Sequence, residues 1–331
     1  MDNATTVADS RRYALGVDRG GTNARVGLVR NDGQVLSLLT ERTEPPGSRP
    51  WEVSDRALIG LLRRALDQPE VAAVPLDGIG LATNGLVGQD GMAVGMGGPC
   101  EAPWSETPVQ TILQRGLGVA LPVRAEIDAK AAAWGEYLFG AGRGHRHIVY
   151  LTIGTGIGGG LILDGRLYQG AGGAAALAGH ISVDMYGHRA ENGMVGIVED
   201  YASGRGIAAA AQAALVRGRG GRLRELCMGN IGSISSEMVF QAARDGDPLA
   251  TEVLQGATHA LGIAICSLLH LFNPDVVILG GGVVQQGELF LGALRRTVEQ
   301  NAIHYYRQTP ILVSQLGNMA GVLGAAGLFW Q

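Results

Sequence analysis

Residues 13–30 read YALGVDRGGTNARVGLVR, where apolar and small residues alternate on both sides of a glycine pair, and NDG follows at 31–33. This alternation predicts two strands joined by a glycine loop, and NDG is a strong signal for a tight hairpin turn into a third strand. Dinucleotide-binding folds need a helix directly after their glycines. The pattern therefore disfavours that class.

The same pattern recurs at 148–168, IVYLTIGTGIGGGLILDGRLY, as an apolar run, a glycine loop, a second apolar run and a DG turn. Two copies predict an internal duplication, with one glycine hairpin in each of two lobes that face a shared cleft. A chain of 331 residues also exceeds the usual size of one compact core. We place a small N-terminal lobe at 1–126 and a large C-terminal lobe at 127–331.

The other periodic segments complete an α/β prediction. Buried parallel strands ending in glycine are indicated by GIGLATNG at 78–85 and VVILGGG at 276–282. Helices are predicted at 54–67 with Ser54 as N-cap, at 128–140, at 198–217, at 250–272 with Pro274 ending it, and at 317–330. The last helix is rich in small residues, so we expect it to pack closely, back on the small lobe.

Composition excludes several classes of protein. The net charge of −4 offers no basic face for nucleic acid, and the three cysteines have neither disulfide nor metal spacing. The N-terminus is polar, and no run reaches the roughly 18 apolar residues that a membrane span requires. We expect a cytoplasmic protein with no membrane or nucleic-acid partner.

Three glycine-rich segments are candidates for binding a nucleotide. In DRGGT the turn can present backbone N–H groups and a hydroxyl to phosphate, while its Asp can hold a Mg²⁺-bound water; a plain hairpin is the alternative. GTGIGGG is a second such loop, and the glycines after VVIL could let an adenine lie against backbone or could simply form a tight turn. The predicted nucleotide-binding residues are Asp18, Gly20, Gly21, Thr22, Asn23, Gly154, Thr155, Gly156, Gly280, Gly281 and Gly282.

Together the motifs resemble a known family. They are DRGGTNARVGLV, GTGIGGGLILDGRLYQGA, AGH at 178–180, GxxGxxE at 193–199 followed by DYASG, VVILGGG and GNMAGVLGAA. Their order, over about 13–329, is similar to that of the ROK family of sugar kinases and sugar-responsive repressors. The resemblance implies an actin-like fold of two duplicated ribonuclease-H-like lobes, ATP with Mg²⁺ as cofactors, and phosphorylation of a sugar hydroxyl.

The resemblance also assigns roles around AEIDAKAAAWGE at 125–136. In the family, the strand before the central helix ends in the pattern Glu-Asn-Asp-Ala-Asn. Its Asp, matched here by Asp128, is the general base that takes the proton from the attacking hydroxyl. Capping of the helix is the alternative role for this residue. The predicted substrate-binding residues are Gly85, Gly98, Ile127, Asp128, Leu177, His180 and Glu199.

The chain departs from the family pattern at two sugar contacts. Ile127 stands where the family has an Asn, and Leu177 stands where it has a Glu. Each change leaves a hydroxyl without its partner, at a cost of about 1–3 kcal/mol. Lys130 replaces the second Asn, either as a solvated helix residue or as a cation that reaches into the cleft toward a phosphate or an acidic group on the substrate. His180 and Glu199 could still fix one edge of a substrate.

A zinc site common in the family is not expected. Its three cysteine positions are Ala190, Asn192 and Ile197 here, so no tetrahedral thiolate site of that kind can form.

These observations predict an ATP-dependent kinase for a hexose, an amino sugar or a sugar-like cyclitol, with plain glucose disfavoured. The alternative is a catalytically impaired, sugar-sensing relative. A repressor is disfavoured because family repressors carry an N-terminal helix-turn-helix, and only twelve residues precede the first predicted strand here. A homodimer or homotetramer is compatible with the family.

Overall fold

The computed structural model describes residues 11–20, 23–43, 50–88, 93–94, 106–107, 109–190 and 193–331. The chain forms two compact units. The first comprises Met1–Gly95, Ser105–Phe139 and Asn318–Gln331, and the second comprises Met96–Trp104 and Gly140–Gly317. This division differs from a boundary after residue 126, because residues 127–139 belong to the first unit. The C-terminal segment also belongs to the first unit, in agreement with the expectation that the last helix packs on the small lobe.

The first unit is built on a five-stranded sheet. The five strands of this sheet are β1 (Tyr13–Arg19), β2 (Asn23–Arg30), β3 (Val35–Arg42), β4 (Leu76–Thr83) and β8 (Val123–Ile127). Three further strands of the unit are short: β5 (Leu86–Val87), β6 (Ala93–Val94) and β7 (Glu106–Thr107). The main sheet has the order β3-β2-β1-β4-β8, and β5, β6 and β7 form a small separate sheet. Strands β1 to β3 run antiparallel as hairpins, while β4 and β8 are parallel to β1.

The predicted NDG hairpin is present between β2 and β3. Gly33 has φ of +88°, and its N–H donates to the Arg30 carbonyl oxygen, which closes the turn. The helices of this part of the chain are α1 (Pro50–Leu66), α2 (Pro69–Ala72), α3 (Val109–Leu117) and α4 (Asp128–Phe139). The prediction of Ser54 as an N-cap is wrong, because α1 already begins at Pro50, and proline suits a first helical position.

The second unit repeats the sheet of the first. Its strands are β9 (Ile148–Ile153), β10 (Ile157–Leu163), β11 (Arg166–Leu167), β12 (Val276–Gly280) and β13 (Ile311–Val313). Their order in the sheet is β11-β10-β9-β12-β13. When the five strands of each sheet are numbered along the chain, both sheets have the same order, 3-2-1-4-5. The DG turn before β11 has positive φ at both Asp164 and Gly165, as a two-residue hairpin turn requires. The predicted duplication is therefore present in the strand order.

The helices of the second unit are α5 (Val198–Ala202), α6 (Gly204–Val216), α7 (Arg222–Leu226), α8 (Ser236–Arg244), α9 (Pro248–Phe272) and α10 (Glu288–Asn301). The single helix predicted at 198–217 is in fact two. Ser203 has extended backbone, and its hydroxyl accepts from the Gly206 N–H, so it ends α5 and caps α6.

Helix α9 is long and apolar enough to cross a membrane by length and composition, which qualifies the expectation that no segment could. In this fold 61% of its most apolar window is buried. Leu254, Leu261, Ile265 and Leu269 lie in the apolar core of the second unit. One such helix is weak evidence for a span, since core helices pass the same test.

The C-terminal helix α11 (Ala320–Gly327) packs on the first sheet and on α4. The contact is backbone against backbone at glycines. A Cβ on Gly16 would lie 2.0 Å from the Val322 carbonyl oxygen, and one on Gly80 would lie 1.8 Å from the Ala325 carbonyl oxygen. A Cβ on Gly324 would lie 1.7 Å from the Ala131 carbonyl oxygen of α4. Side chains are therefore excluded where α11 crosses β1, β4 and α4.

We expect the substitution Gly80→Ala to lower the free energy of unfolding by about 1–3 kcal/mol or more, because its methyl group would collide with backbone. The matched control is Gly60→Ala in α1, where a Cβ has no neighbour within 4 Å. That change should be neutral or stabilise by about 0.5–1 kcal/mol. Urea unfolding followed by tryptophan fluorescence measures both. Equal midpoints for the two variants would contradict the close contact.

Candidate active site

In the first unit, polar residues collect where three parallel strands end. The strand register aligns Asp18 of β1 with Ala82 of β4 and Glu126 of β8. The next row aligns Arg19, Thr83 and Ile127. The carboxyl edge of a parallel sheet is where ligands bind in open α/β folds. Asp128 follows β8 directly and therefore lies at this edge.

Asp128 is the first residue of α4, and one of its carboxylate oxygens accepts from the Ala129 N–H at 2.7 Å. It therefore makes one backbone contact at the helix start, although an N-cap usually binds an N–H two or three residues further on. Burial raises the pKa of Asp128; the Ala129 N–H opposes that rise, and the negative charge of Asp18 adds to it. A carboxylate with a raised pKa is suited to accept a proton.

The carboxyl group of Asp18 is mostly buried and lies 3.3 Å from the Arg25 guanidinium. Burial raises its pKa, and the charge and hydrogen bond of Arg25 only partly offset the rise. Gly321 of α11 packs closely against this carboxyl group, because a Cβ there would lie only 2.8 Å from the Asp18 carboxyl carbon. Mg²⁺ is usually held by one or two carboxylates, phosphates and water. An incompletely neutralised, buried carboxylate fits that role.

The first glycine loop is described only in part. Gly20 donates its N–H to the Asn23 carbonyl oxygen at 3.0 Å, which closes the turn between β1 and β2. Gly21 and Thr22 lie outside the described residues. Among the predicted sugar contacts, Gly85 has φ of +94° just after β4, whereas Gly98 lies outside the described residues.

Lys130 is not solvated, so that interpretation is wrong. Its side chain has 0% exposure, and its ammonium lies 3.0 Å from a carboxylate oxygen of Glu126. The sequence could not show this, because α4 is buried along its length from Ala129 to Glu136 against the sheet and α11. Ile127, the other departure from the motif, is also buried, with 7% exposure.

In the second unit the glycine loop between β9 and β10 is tied to the corner between α5 and α6. Gly154 donates to the Gly156 carbonyl oxygen at 2.9 Å and accepts from the Gly204 N–H at 2.8 Å. One carboxylate oxygen of Glu199 accepts from the Ile157 N–H at 2.7 Å. A Cβ on Gly156 would lie only 2.6 Å from that oxygen.

Arg205 completes this set of contacts, and sequence reasoning missed it. Its guanidinium donates to the second Glu199 oxygen at 2.9 Å and to the Thr155 carbonyl oxygen at 3.3 Å. Both oxygens of the predicted sugar ligand Glu199 therefore hold the glycine loop in this structure. The position of Arg205, six residues after Glu199 across a helix break, gave no periodic signal that could have linked the two.

The segment before Glu199 carries the other predicted sugar contacts. Leu177 is half-buried and precedes a 3-10 turn, Ala178–His180, that ends with His180. Ala176 has φ of +69°, a conformation that costs a residue with a Cβ about 1–2 kcal/mol. The backbone here thus keeps a glycine-like shape although an alanine occupies it.

The described residues on either side of the family zinc positions pair with each other through hydrogen bonds. Ser182 pairs with Ile197 and Arg189 pairs with Val195 in antiparallel bridges. The Ser182 hydroxyl donates to the Val195 carbonyl oxygen at 2.9 Å, and the Tyr201 hydroxyl donates to Asp184 at 3.0 Å. Ala190 and Ile197 offer no ligand atom, and Asn192 lies outside the described residues. These residue types do not fit the family zinc.

The third glycine segment follows β12. A Cβ on Gly280 would lie 2.6 Å from the Tyr150 hydroxyl oxygen, and one on Gly281, at φ of +92°, would lie 2.3 Å from the Ile153 carbonyl oxygen. Close packing against β9 explains these two glycines. Gly282 has no atom within 4 Å of its Cβ position. It is therefore the member of the three with room for a ligand.

Comparison with known proteins agrees with this architecture. A family model described as "ROK family" matches residues 14–331. The chain belongs to the ROK family. The predicted family and the actin-like fold class are thus confirmed. Among the relatives of this ROK protein, a glucokinase from Streptomyces coelicolor is 35% identical over 318 residues, which cover 95% of this chain and 96% of the relative.

A solved structure extends the comparison. The ROK family glucokinase from Streptomyces griseus, in complex with glucose and AMPPNP, is 34% identical, with a TM-score of 0.78 and coverage of 96% of this chain and 98% of the other. The family also contains regulators. A xylose repressor from Caldicellulosiruptor bescii is 28% identical over 315 residues, covering 95% of this chain and 77% of the repressor.

We expect Glu199→Ala to loosen the second glycine loop, because the Ile157 N–H and the Arg205 guanidinium both lose their acceptor. Hydrogen–deuterium exchange of the loop amides should rise by about 5- to 100-fold, as expected for a hydrogen bond worth about 1–3 kcal/mol. The control Glu199→Gln keeps an acceptor for Ile157 and should show a smaller rise. Unchanged exchange in the alanine variant would show that Glu199 does not hold the loop.

Proposed function

We propose that this chain transfers the γ-phosphoryl group of ATP to a hydroxyl of a hexose, an amino sugar or a sugar-like cyclitol, with Asp128 as general base. The observation that carries the proposal is the environment of Asp128. This carboxylate lies at the carboxyl edge of the first sheet, and burial together with Asp18 raises its pKa. ROK membership and the glucokinase relatives support the same reaction.

The chemistry follows from the residues in place. Asp128 accepts the proton of the attacking hydroxyl as its oxygen bonds to phosphorus and the bond to ADP breaks. The transition state is loose, so the protein contributes mainly orientation and charge. Asp18 and the Gly20–Thr22 turn are the residues that would hold Mg²⁺ and phosphate, with Gly154–Gly156 as a second phosphate loop and Gly282 beside the adenosine. Bound Mg²⁺ supplies neutralisation of the phosphate charge.

A coupled ADP-release assay tests the reaction. We expect wild-type protein to turn over at least one of D-glucose, D-mannose, N-acetyl-D-mannosamine, N-acetyl-D-glucosamine and myo-inositol. Asp128→Asn should lower kcat by about 100- to 10,000-fold. If wild-type protein binds AMPPNP but phosphorylates no compound in the panel, the sugar-sensing alternative is favoured instead.

The pH dependence tests the role of Asp128 separately. As base it must be ionised, so kcat/KM should fall with decreasing pH through a pKa above the ordinary aspartate range. A folded-state pKa that is raised means that the carboxylate favours folding only while protonated, and this contribution is lost as pH rises through the folded pKa. Asp128→Asn should therefore raise Tm at pH 7, and the difference should shrink at pH 4. A lower Tm for the variant at pH 7 would contradict this environment.

The substrate proposal rests on Ile127 and Leu177. Apolar side chains at these positions cannot bind hydroxyls, so we infer a substrate that lacks a hydroxyl or carries a less polar group at one or both of them. This inference disfavours D-glucose, although the relative from Streptomyces griseus is a glucokinase in complex with glucose.

We expect the double variant Ile127→Asn/Leu177→Glu to lower KM for D-glucose by about 10-fold or more, because each restored hydrogen bond contributes about 1 kcal/mol. The control Ile127→Val/Leu177→Met keeps both positions apolar and should leave that KM within about threefold. If both double variants show the same KM for D-glucose, neither position determines the sugar.

A further inference from the structure

The first unit contains a buried ion pair close to Asp128. The ammonium of Lys130 lies 3.0 Å from a carboxylate oxygen of Glu126, and the two side chains are 0% and 3% exposed. Removing two charges from water costs several kcal/mol for each ion, so a buried pair is weak evidence for a role in stability. A role in fixing one conformation is the other reason to retain such a pair.

The pair spans the junction at which Asp128 lies. Glu126 is the penultimate residue of β8, Asp128 opens α4, and Lys130 is the third residue of that helix. The Glu126 oxygen that binds the Lys130 ammonium also accepts from the Ile127 N–H at 2.8 Å. A single oxygen atom of Glu126 thus links the backbone N–H of Ile127, just before Asp128, to the ammonium of Lys130, just after it.

This link acts where strand becomes helix, and small rotations there would swing the Asp128 carboxylate. The Ala129 N–H is the one backbone contact that the structure shows for that carboxylate among the described residues, and it comes from the same junction. Displacement of a catalytic group by about 1 Å can cost on the order of 100-fold in rate. The junction must therefore be rigid for Asp128 to act as a base.

We propose that Lys130 is a positioning residue, which acts through Glu126 to fix the strand-to-helix junction and so the direction of the Asp128 carboxylate. The proposal rests on the proposed function of Asp128. Lys130 is assigned this indirect role because its side chain has 0% exposure and its ammonium pairs with Glu126.

The test compares Lys130→Met, Glu126→Gln and the double variant Glu126→Gln/Lys130→Met in the full-length protein. Arg219→Met in the second unit is the matched control, since it removes the cation of a different ion pair, with Glu252. The assay uses Mg-ATP and the panel sugar that the wild type phosphorylates fastest. Thermal unfolding and hydrogen–deuterium exchange of the segment 123–131 are measured on the same samples.

Lys130→Met should lower kcat by about 10- to 100-fold, leave KM for ATP and sugar within about threefold, and raise amide exchange at Ile127. The double variant removes both charges and should recover most of the lost Tm, while kcat stays at least about 10-fold below wild type. That split between Tm and kcat distinguishes positioning from stability. Arg219→Met should keep wild-type kcat.

Recovery of kcat together with Tm in the double variant would overturn the proposal, as would wild-type kcat and exchange in Lys130→Met. Failure of the proposed function is seen separately. If Asp128→Asn keeps full turnover, or no sugar is phosphorylated, Asp128 is not the base, while exchange at Ile127 still reports whether Lys130 fixes the junction.

Discussion

The close approach of α11 to β1, β4 and α4 is the constraint on which the first unit depends. Carbonyl oxygens of the helix occupy the space that a Cβ atom would need at the positions of Gly16 and Gly80. Because the same helix touches α4 through Gly324 and the Asp18 carboxyl group through Gly321, it supports both acidic residues of the candidate site. The last residues of the chain are thereby part of the framework that holds the first strand and the central helix in place.

Two acidic residues at this edge of the sheet, Asp18 and Asp128, are buried and therefore lose the hydration that stabilises their ionised forms. Burial raises the pKa values of Asp18 and Asp128, and the negative charge of Asp18 raises the pKa of Asp128 further. Such an arrangement costs folding free energy at neutral pH, since the ionised forms are disfavoured. Buried carboxylates with raised pKa values are concentrated at sites that carry out proton transfer or bind cations. The neighbouring Glu126 differs from these two aspartates, because its buried carboxylate is paired with the buried ammonium of Lys130.

Local signals predicted the hairpins well. The NDG and DG turns and the glycine loops require particular backbone conformations, and sequence shows these directly. Two features that the sequence did not show depend on contacts between distant residues. Lys130 looked solvated because nothing in its neighbourhood along the chain reveals that α11 covers α4. The boundary after residue 126 assigned α4 to the second lobe, whereas α4 packs on α11 within the first unit. The break at Ser203 did have a local signal that the single-helix prediction overlooked, because Ser203-Gly204 is a dipeptide typical of turns and Gly206 is a poor helix former.

In the second unit, hydrogen bonds order the segment that carries His180 and Glu199, the predicted sugar contacts, without the cysteines of the family zinc site. His180 and Glu199 lie at the two ends of the hairpin that the metal would otherwise clamp. Here the Val198 N–H donates to the Ile181 carbonyl oxygen at 2.9 Å, which joins the residues next to both. The bond between Tyr201 and Asp184 closes the hairpin further along. Backbone pairing thus sets the spacing of His180 and Glu199, a geometric task that needs no thiolate.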